Sequence, residues 1–382
     1  LYAAKSGEEL VKEQSFVFPD RGGDLITLRP ELTPSLARMV AQRQRQLVYP
    51  LRWWSWGPFW RYERPQKGRT REFFQWNIDI IGVDDVLADA EVIFCAIDYL
   101  QDVGLTSNDI VVKISSRKML AASLTAIGIA EDQLDSIYAV LDKRSKIPDE
   151  AFIEMLAEKM ADPDKRQKVL GLMNVKSIGE IVDFTGASQE AKESIDELGR
   201  LFEFLKTMGV ADFCQFDISI VRGLAYYTGI VFEIYDKVGE LRAIGGGGRY
   251  DNLLKQFGGP SIPATGFGIG DCVLGILLEE KGLIAKHLPK PQLDYFVALA
   301  DQQYLSKALE ITAKLRRKGF SAYRRYKTQN LGKQLKLASA LNAQKCIIVG
   351  EELQNNQIAV KDMTTGTQEL VDIDKFIKFC II

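Results

Sequence analysis

Two stretches of this 382-residue chain gather side chains that could bind a charged ligand. Residues 53–63 and 72–81 are aromatic-rich and read as strands, and between them Arg64-Pro65-Gln66-Lys67-Gly68-Arg69-Thr70-Arg71 carries the Pro and Gly of a turn. Successive side chains of a strand point to opposite faces. Phe59, Arg61 and Glu63 therefore share a face of the first strand. Gln75, Asn77 and Asp79 share a face of the second, with Phe74, Trp76, Ile78 and Ile80 on the other. A solvated sheet face would show the same alternation. The loop argues for more, because Lys67, Arg69 and Arg71 put three cations at its tip and guanidinium forks suit phosphate oxygens. A polar strand floor under a basic loop is what a nucleotide site needs. The second stretch, Gly245-Gly246-Gly247-Gly248, reads either as a phosphate cradle or as a flexible turn.

The elements that must position these residues are a mixture. Residues 24–29 read as a strand, and 33–46 as a helix with Thr33 as its N-cap and Pro34 in the first turn. Residues 86–103 form an amphipathic helical pattern. From 116 to 211 helical periodicity and charge dominate, which marks a helical insertion. Strand character returns at 214–250, and a strand-then-helix unit follows at 264–281. Lys286-His287-Leu288-Pro289-Lys290-Pro291 reads as a linker, and beyond it apolar strands alternate with helices, as in a small α/β domain.

Four motifs in order then carry a family resemblance over essentially the whole chain. Gly57-Pro58-Phe59-Trp60-Arg61-Tyr62-Glu63-Arg64-Pro65-Gln66-Lys67-Gly68-Arg69 resembles motif 2 of the class II aminoacyl-tRNA synthetases, in the form used by the histidyl-tRNA synthetase family. Leu28-Arg29-Pro30-Glu31-Leu32-Thr33 resembles that family's preceding stretch. Val221-Arg222-Gly223-Leu224-Ala225-Tyr226-Tyr227-Thr228-Gly229 and Gly246-Gly247-Gly248-Arg249-Tyr250-Asp251 resemble its two histidine motifs. The resemblance implies an α+β fold: an antiparallel sheet core with helices over 1–115 and 212–285, the helical insertion over 116–211, and a C-terminal α/β anticodon-binding domain over 290–382.

It also implies an activity, in which histidine is activated with ATP and transferred to tRNA(His), with Mg2+ accompanying the ATP and a cytoplasmic homodimer as the working form. Arg61 matches the arginine that holds the ATP α-phosphate, and Glu63 and Arg69 match positions that place the adenine and the bent triphosphate. Glu31 and Thr33 match contacts to the amino group of histidine, and Gln75 a further contact to the amino acid. Asp79 stands where the family usually has Glu as imidazole acceptor, with Tyr227 as the second imidazole contact and Tyr226 beside it. Arg222 matches the catalytic arginine, which bridges the histidine carboxylate and the α-phosphate; a guanidinium neutralises two meeting anions without a proton transfer. In the family the glycine run lets the backbone pack closely under the substrate.

Besides Asp79, the chain departs from the pattern at Ala225, where many relatives carry Asp, and in motif 3. Motif 3 usually ends in a Gly-x-Glu-Arg-type segment whose arginine contacts ATP. The matching stretch is Gly266-Phe267-Gly268-Ile269-Gly270-Asp271-Cys272-Val273, with Cys272 read at the arginine position and Arg249 as the candidate to serve instead. That departure leaves two rivals. One is a non-catalytic paralogue, such as the regulatory subunit of ATP phosphoribosyltransferase, against which Arg222 and the basic C-terminal region weigh. The other is a plain RNA-binding module, in which the polar hairpin face would have no role.

Composition narrows the classes. A single histidine, His287, excludes a multi-histidine metal centre, and no metal site is expected. The five cysteines (Cys95, Cys214, Cys272, Cys346, Cys380) are scattered with no C-x-x-C pair, which fits reduced thiols in a cytosol-like compartment. No apolar run approaches the ~18 residues that span a bilayer. The first residues carry no signal-peptide pattern, and the missing initiator Met leaves most of motif 1 upstream of Leu1. Residues 290–382 hold 15 Lys and Arg against 9 Asp and Glu, a surplus of six in a chain whose net charge is −2. A basic appendage on an acidic body points to a polyanion partner, although an ordinary solvated basic surface has the same composition.

Overall fold

The computed structural model describes residues 13–144, 147–185, 188–221, 226–287, 292–327 and 329–379. The chain divides into two compact units, Leu1–Leu283 and Ile284–Ile382.

In the first unit a short antiparallel hairpin, β1 (Val17–Pro19) with β2 (Leu25–Thr27), precedes the helix Thr33–Arg43. Seven strands then make one sheet: β3 (Leu51–Trp60), β4 (Glu72–Ile81), β5 (Ile110–Ser116), β6 (Cys214–Phe216), β7 (Ile230–Asp236), β8 (Gly245–Arg249) and β9 (Ala264–Gly270). Their spatial order is β3-β4-β9-β8-β7-β5-β6, antiparallel throughout except for the β5–β6 pair. Thus the antiparallel core expected from the resemblance is present. Thr33 is the first helical residue rather than the cap; Leu32 holds the cap position without a side-chain hydrogen bond, and the α-helix gives way after Arg43 to a 3-10 turn, Gln44–Gln46.

The sheet separates two apolar cores, because strand side chains alternate. Behind it Trp76, Ile78 and Ile80 of β4 meet the helix Leu87–Asp102, whose Ala90, Ile93, Ile97 and Leu100 are fully buried at helical spacing. The helices between β5 and β6, from Arg117–Ala126 to Gln189–Thr207, pack into that same core through Leu124, Ile137, Leu156 and Leu198. On the front, Leu36, Ala37 and Val40 of Thr33–Arg43 pack with Ile81, Tyr226, Tyr227, Tyr250 and Leu254. The ligand-facing residues of β4 lie on this front side.

The second unit is a five-stranded sheet in the order β11-β10-β12-β13-β14, formed by β10 (Leu293–Leu299), β11 (Ala322–Tyr323), β12 (Ala343–Val349), β13 (Gln357–Asp362) and β14 (Gln368–Asp372). The first three are parallel, as strands alternating with the helices Leu305–Arg317 and Leu331–Ala340 require, while β13 and β14 close it as an antiparallel meander that the sequence reading did not anticipate. Lys286 and His287 end a short helix, Leu283–His287, instead of lying in a linker; residues 288–291 are outside the described set.

At the centre of the first sheet β8 and β9 approach so closely that side chains are excluded. A Cβ on Gly247 would lie 1.9 Å from the Gly266 carbonyl oxygen, and one on Gly245 2.6 Å from that of Gly268. The obstacle is backbone, which cannot rotate away. Gly247→Ala is therefore expected to cost about 3 kcal/mol or more through overpacking. A urea midpoint equal to that of the unaltered protein would refute this reading of the β8–β9 contact.

Candidate active site

A cleft of about 460 Å³ opens on the front of the sheet, lined by Glu31, Thr33, Arg61, Gln75, Asn77, Asp79, Tyr226, Tyr227 and Tyr250 over the backbone of Gly246, Gly266 and Gly268. Its floor follows from strand register. Asp79 stands opposite Gly266, Asn77 opposite Gly268 and Gln75 opposite Gly270. A Cβ at Gly266 would lie 2.3 Å from an Asp79 carboxylate oxygen, and one at Gly268 2.7 Å from the Gln75 amide nitrogen. The glycines thus leave room for the polar side chains of β4 to lie across β9. The run 245–248 belongs to a central strand, not to a flexible turn.

Two buried carboxylates face the cleft, each receiving a phenol. Tyr226 donates to Glu31 Oε2 at 2.8 Å, and Tyr250 donates to Asp79 Oδ1 at 2.5 Å. Burial pushes the Asp79 carboxyl up to about 7, against the lowering effect of the Tyr250 hydrogen bond. Burial also raises both phenols well above the usual tyrosine range, so they remain hydrogen-bond donors at neutral pH. The arrangement can hold a ligand cation beside Glu31 and a ligand N–H against Asp79.

Beside the cleft the β3–β4 hairpin carries the cations. Arg61 Nε donates to the Pro30 carbonyl at 3.0 Å, and its guanidinium carbon lies 5.2 Å from the Phe73 ring centroid. β3 ends at Trp60, but Arg61 N–H still donates to the Arg71 carbonyl at 2.9 Å and extends the pairing. Glu63 and Arg69 form an ion pair within the loop. Lys67 pairs with Glu280 at 2.7 Å, which rests the loop on the helix Asp271–Glu280.

Of the residues singled out from sequence, Glu31, Thr33, Arg61, Gln75, Asp79, Tyr226 and Tyr227 come together at the cleft. Arg222 lies outside the described residues. Arg249 does not serve the site. It is 2% exposed, and its five donors are taken by Asp89 (2.9 and 2.5 Å), Asp251 (3.4 Å) and the carbonyls of Val83 (3.1 Å) and Asp85 (2.9 Å). The physical reason is strand parity: Gly246 and Tyr250 face the cleft, so Arg249 faces the other way. The same parity, applied from Gly246, would have found Tyr250, which the sequence reading left without a role; Asn77 had likewise been placed on the right face but given none.

The motif 3 departure also needs restating. Counting Gly-x-Glu-Arg from Gly270 puts Cys272 at the glutamate and Val273 at the arginine. Val273 is buried, its methyl 3.0 Å from where a Gly68 Cβ would stand, and the Cys272 thiol lies 3.3 Å from Thr70 Oγ1. No cation stands at either position. Arg242, which the sequence reading passed over, does reach the hairpin loop: with the Gln66 amide turned over, its oxygen accepts from Nη2 at 2.6 Å and Nε at 3.2 Å.

Asp79 supplies a pH test. Its folded-state pKa near 7 exceeds the usual 3.8 of an exposed aspartate, so the folded protein holds the proton more tightly than the unfolded chain. The stability this contributes is complete below pH ~4 and is lost as pH rises to about 7. In Asp79→Asn the loss is absent. The difference in unfolding free energy, variant minus unaltered protein, should therefore grow by on the order of 1 kcal/mol per pH unit between 4 and 7, then level off. Denaturant titrations across that range that show a constant difference would remove the raised pKa.

Comparison with known proteins matches these features. The histidyl-tRNA synthetase family profile covers residues 2–270, and an anticodon-binding-domain profile covers 291–381. The chain is 40% identical over 371 residues to the chloroplastic/mitochondrial histidine–tRNA ligase of Arabidopsis thaliana, spanning 96% of this chain and 75% of that one. It is 39% identical to the histidine–tRNA ligase of Natronomonas pharaonis, spanning 98% and 86%. Among solved structures, apo histidyl-tRNA synthetase of S. aureus superposes with a TM-score of 0.69 at 27% identity, over 96% of this chain and 87% of that one. An ATP phosphoribosyltransferase regulatory subunit/histidyl-tRNA synthetase of Bacillus halodurans superposes with a TM-score of 0.70 at 25% identity, over 90% and 84%. Sequence match across both units, superposition over nearly the whole chain and a cleft assembled from the motif residues agree: the chain belongs to the histidyl-tRNA synthetase family.

Proposed function

We propose that the protein is an ATP-dependent histidine–tRNA ligase. A histidine carboxylate oxygen attacks the α-phosphorus of ATP, the bond to the bridging β-phosphate oxygen breaks, and pyrophosphate leaves. A ribose hydroxyl at the 3′ end of tRNA(His) then attacks the histidyl carbonyl and AMP leaves. The observation that carries this reading is the pair of buried carboxylates at the cleft, since histidine presents two nitrogen groups that need acceptors. Glu31, with Thr33, takes the ammonium group, where a desolvated carboxylate is worth more than a surface pair. Asp79 accepts the imidazole N–H, Tyr227 contacts the ring's other nitrogen with Tyr226 beside it, and Gln75 contacts the amino acid. An acceptor and a phenol at the two ring nitrogens select one tautomer.

On the ATP side Arg61 holds the α-phosphate, and the Glu63–Arg69 pair shapes the loop that places the adenine and triphosphate. Arg242, held to that loop through Gln66, is the cation we assign to the ATP side in place of Arg249. Arg222 neutralises the two anions that meet at the reacting phosphorus. Mg2+ enters with ATP. Among the described residues no cluster of three or more metal-ligating side chains occurs, which suits an ion held mainly by phosphate oxygens and water.

The regulatory-paralogue reading loses to the presence of the anticodon-binding domain and to curated relatives that are named ligases along nearly their whole match. The tRNA partner is supported by that domain's excess of Lys and Arg, and by the segment Arg324-Arg325-Tyr326-Lys327, where Tyr326 is 89% exposed. An open aromatic ring between cations suits stacking on unpaired bases. No helix among the described residues is long and apolar enough to cross a membrane, and the four described cysteines are free, in keeping with a reducing, cytoplasmic setting. For the homodimer the support is a surface: β3 is an edge strand of the described sheet with Trp53, Trp54 and Trp56 exposed, and Val17, Phe18, Leu25 and Ile26 of the β1–β2 hairpin are exposed too.

Histidine-dependent ATP–pyrophosphate exchange tests the activity. Removal of residues 290–382 should leave exchange largely intact while tRNA charging collapses, and charging by the intact protein should fall steeply with salt. No exchange in the intact protein would reject the ligase reading, and equal charging without the C-terminal unit would reject its role in tRNA binding. Light scattering at micromolar concentration should report a dimer that Trp54→Glu dissociates; a monomeric unaltered protein would reject the dimer.

A further inference from the structure

The helical insertion is joined to the active-site segment by one buried guanidinium. Arg117 opens the helix Arg117–Ala126, whose N-terminus Ser116 caps by accepting from Met119 N–H at 3.4 Å. Its backbone N–H donates to the Gly229 carbonyl at 2.8 Å, and its side-chain Nη1 donates to the Val221 carbonyl at 3.3 Å. Val221 precedes and Gly229 follows Tyr226 and Tyr227, which line the cleft; residues 222–225 are outside the described set. On its other side the guanidinium carbon lies 4.3 Å from the ring centroid of Tyr138, in the insertion helix Leu134–Leu141. Arg117 and Tyr138 are each 8% exposed.

We propose that Arg117 is a positioning residue for the histidine side of the site, a single side chain that sets the Tyr226–Tyr227 segment against the helical insertion. The inference rests on the histidine-binding reading above. Burying a guanidinium is costly, and burial lowers its pKa against the fields of Tyr138, Asp135, Asp142 and Tyr227. An apolar side chain of similar volume would fill the space without that cost. What it could not do is stack one face on an aromatic ring while donating in-plane to a backbone carbonyl, which a planar fork does and a lysine ammonium does not. Through Gly229, two residues beyond Tyr227, and through Val221, Arg117 links the Leu134–Leu141 helix to residues on either side of the cleft tyrosines. Arg117 touches no substrate; its effect passes through Tyr226 and Tyr227. In that reading ATP is held by the β3–β4 hairpin, whereas Arg222, which follows Val221, acts where the two anions meet, so a displaced Arg222 is read in kcat and not in KM for ATP.

The test is pyrophosphate exchange with histidine and ATP varied separately, on full-length Arg117→Met, Arg117→Lys, Tyr138→Leu and Tyr138→Phe. Arg117→Met should raise KM for histidine on the order of ten- to a hundredfold while KM for ATP stays within about twofold. Arg117→Lys, which keeps the charge and the fold, should show a smaller shift in the same direction. Tyr138→Leu should reproduce the histidine effect, and Tyr138→Phe, which keeps the ring, should behave as the unaltered protein. A lowered melting temperature with unchanged KM values in the folded fraction would make Arg117 merely structural and overturn the proposal. Equal shifts for both substrates would do the same. An inactive unaltered protein would instead sink the ligase reading, so the two failures are distinguishable.

Discussion

A carboxylate at the centre of a β-sheet, with no cation among the described residues in hydrogen-bond contact with it, is the constraint around which this cleft is organised. Asp79 is 5% exposed, and the Tyr250 phenol is the donor its Oδ1 receives. Left in an apolar environment the charge would be prohibitive, so the carboxyl is pushed to about 7 and is protonated in much of the free protein near neutrality. In the proposed function a ligand N–H arriving at Asp79 supplies a further donor. Selectivity follows, because a site built to hydrogen-bond penalises an amino acid that leaves the acceptor unpaired.

The surrounding structure meets the geometric demands of that carboxylate. β9 presents glycine opposite Asp79, Asn77 and Gln75, so three polar side chains lie across bare backbone. β8 must in turn be glycine at 245 and 247, where it crowds β9, and at 248, where a Cβ would lie 2.5 Å from the Ile230 carbonyl, although glycines ordinarily weaken a strand. Arg249, at the end of that strand, offsets part of the weakness. Its guanidinium joins Asp89 of the helix Leu87–Asp102 to the loop carbonyls of Val83 and Asp85, pinning β8 to the helix behind the sheet. An arginine beside a binding motif is therefore a structural clamp here.

A second buried guanidinium works on the other side of the site. Arg117 meets Tyr138 of the insertion and the backbone on both sides of the cleft tyrosines. The insertion is thereby more than an appendage. Its helices share an apolar core with the sheet, and its first residue shares hydrogen bonds with the active-site segment. Rigid elements that share a core move together, so the insertion and the histidine side of the cleft have few independent degrees of freedom.

Much of this was legible in the chain itself. Period-two alternation on β4 placed Gln75, Asn77 and Asp79 on one face and Trp76, Ile78 and Ile80 on the other, and helical spacing located Leu87–Asp102 to within a residue at each end, because local sterics and burial set those periods. The family resemblance gathers seven of the cleft residues, five of them inside its four motifs. What they could not determine was which side chain meets which. Arg249 looked available for ATP because its partners, Asp89, Val83 and Asp85, lie 160 or more positions away. Tyr250 looked idle because Asp79, to which it donates, is 171 residues distant. Arg117 carried no signal, since Val221 and Gly229 are remote in sequence and adjacent only once the insertion folds back. Local periodicity is written in the order of residues; long-range pairing of buried polar groups is decided by tertiary packing, where each donor must find an acceptor that water no longer supplies.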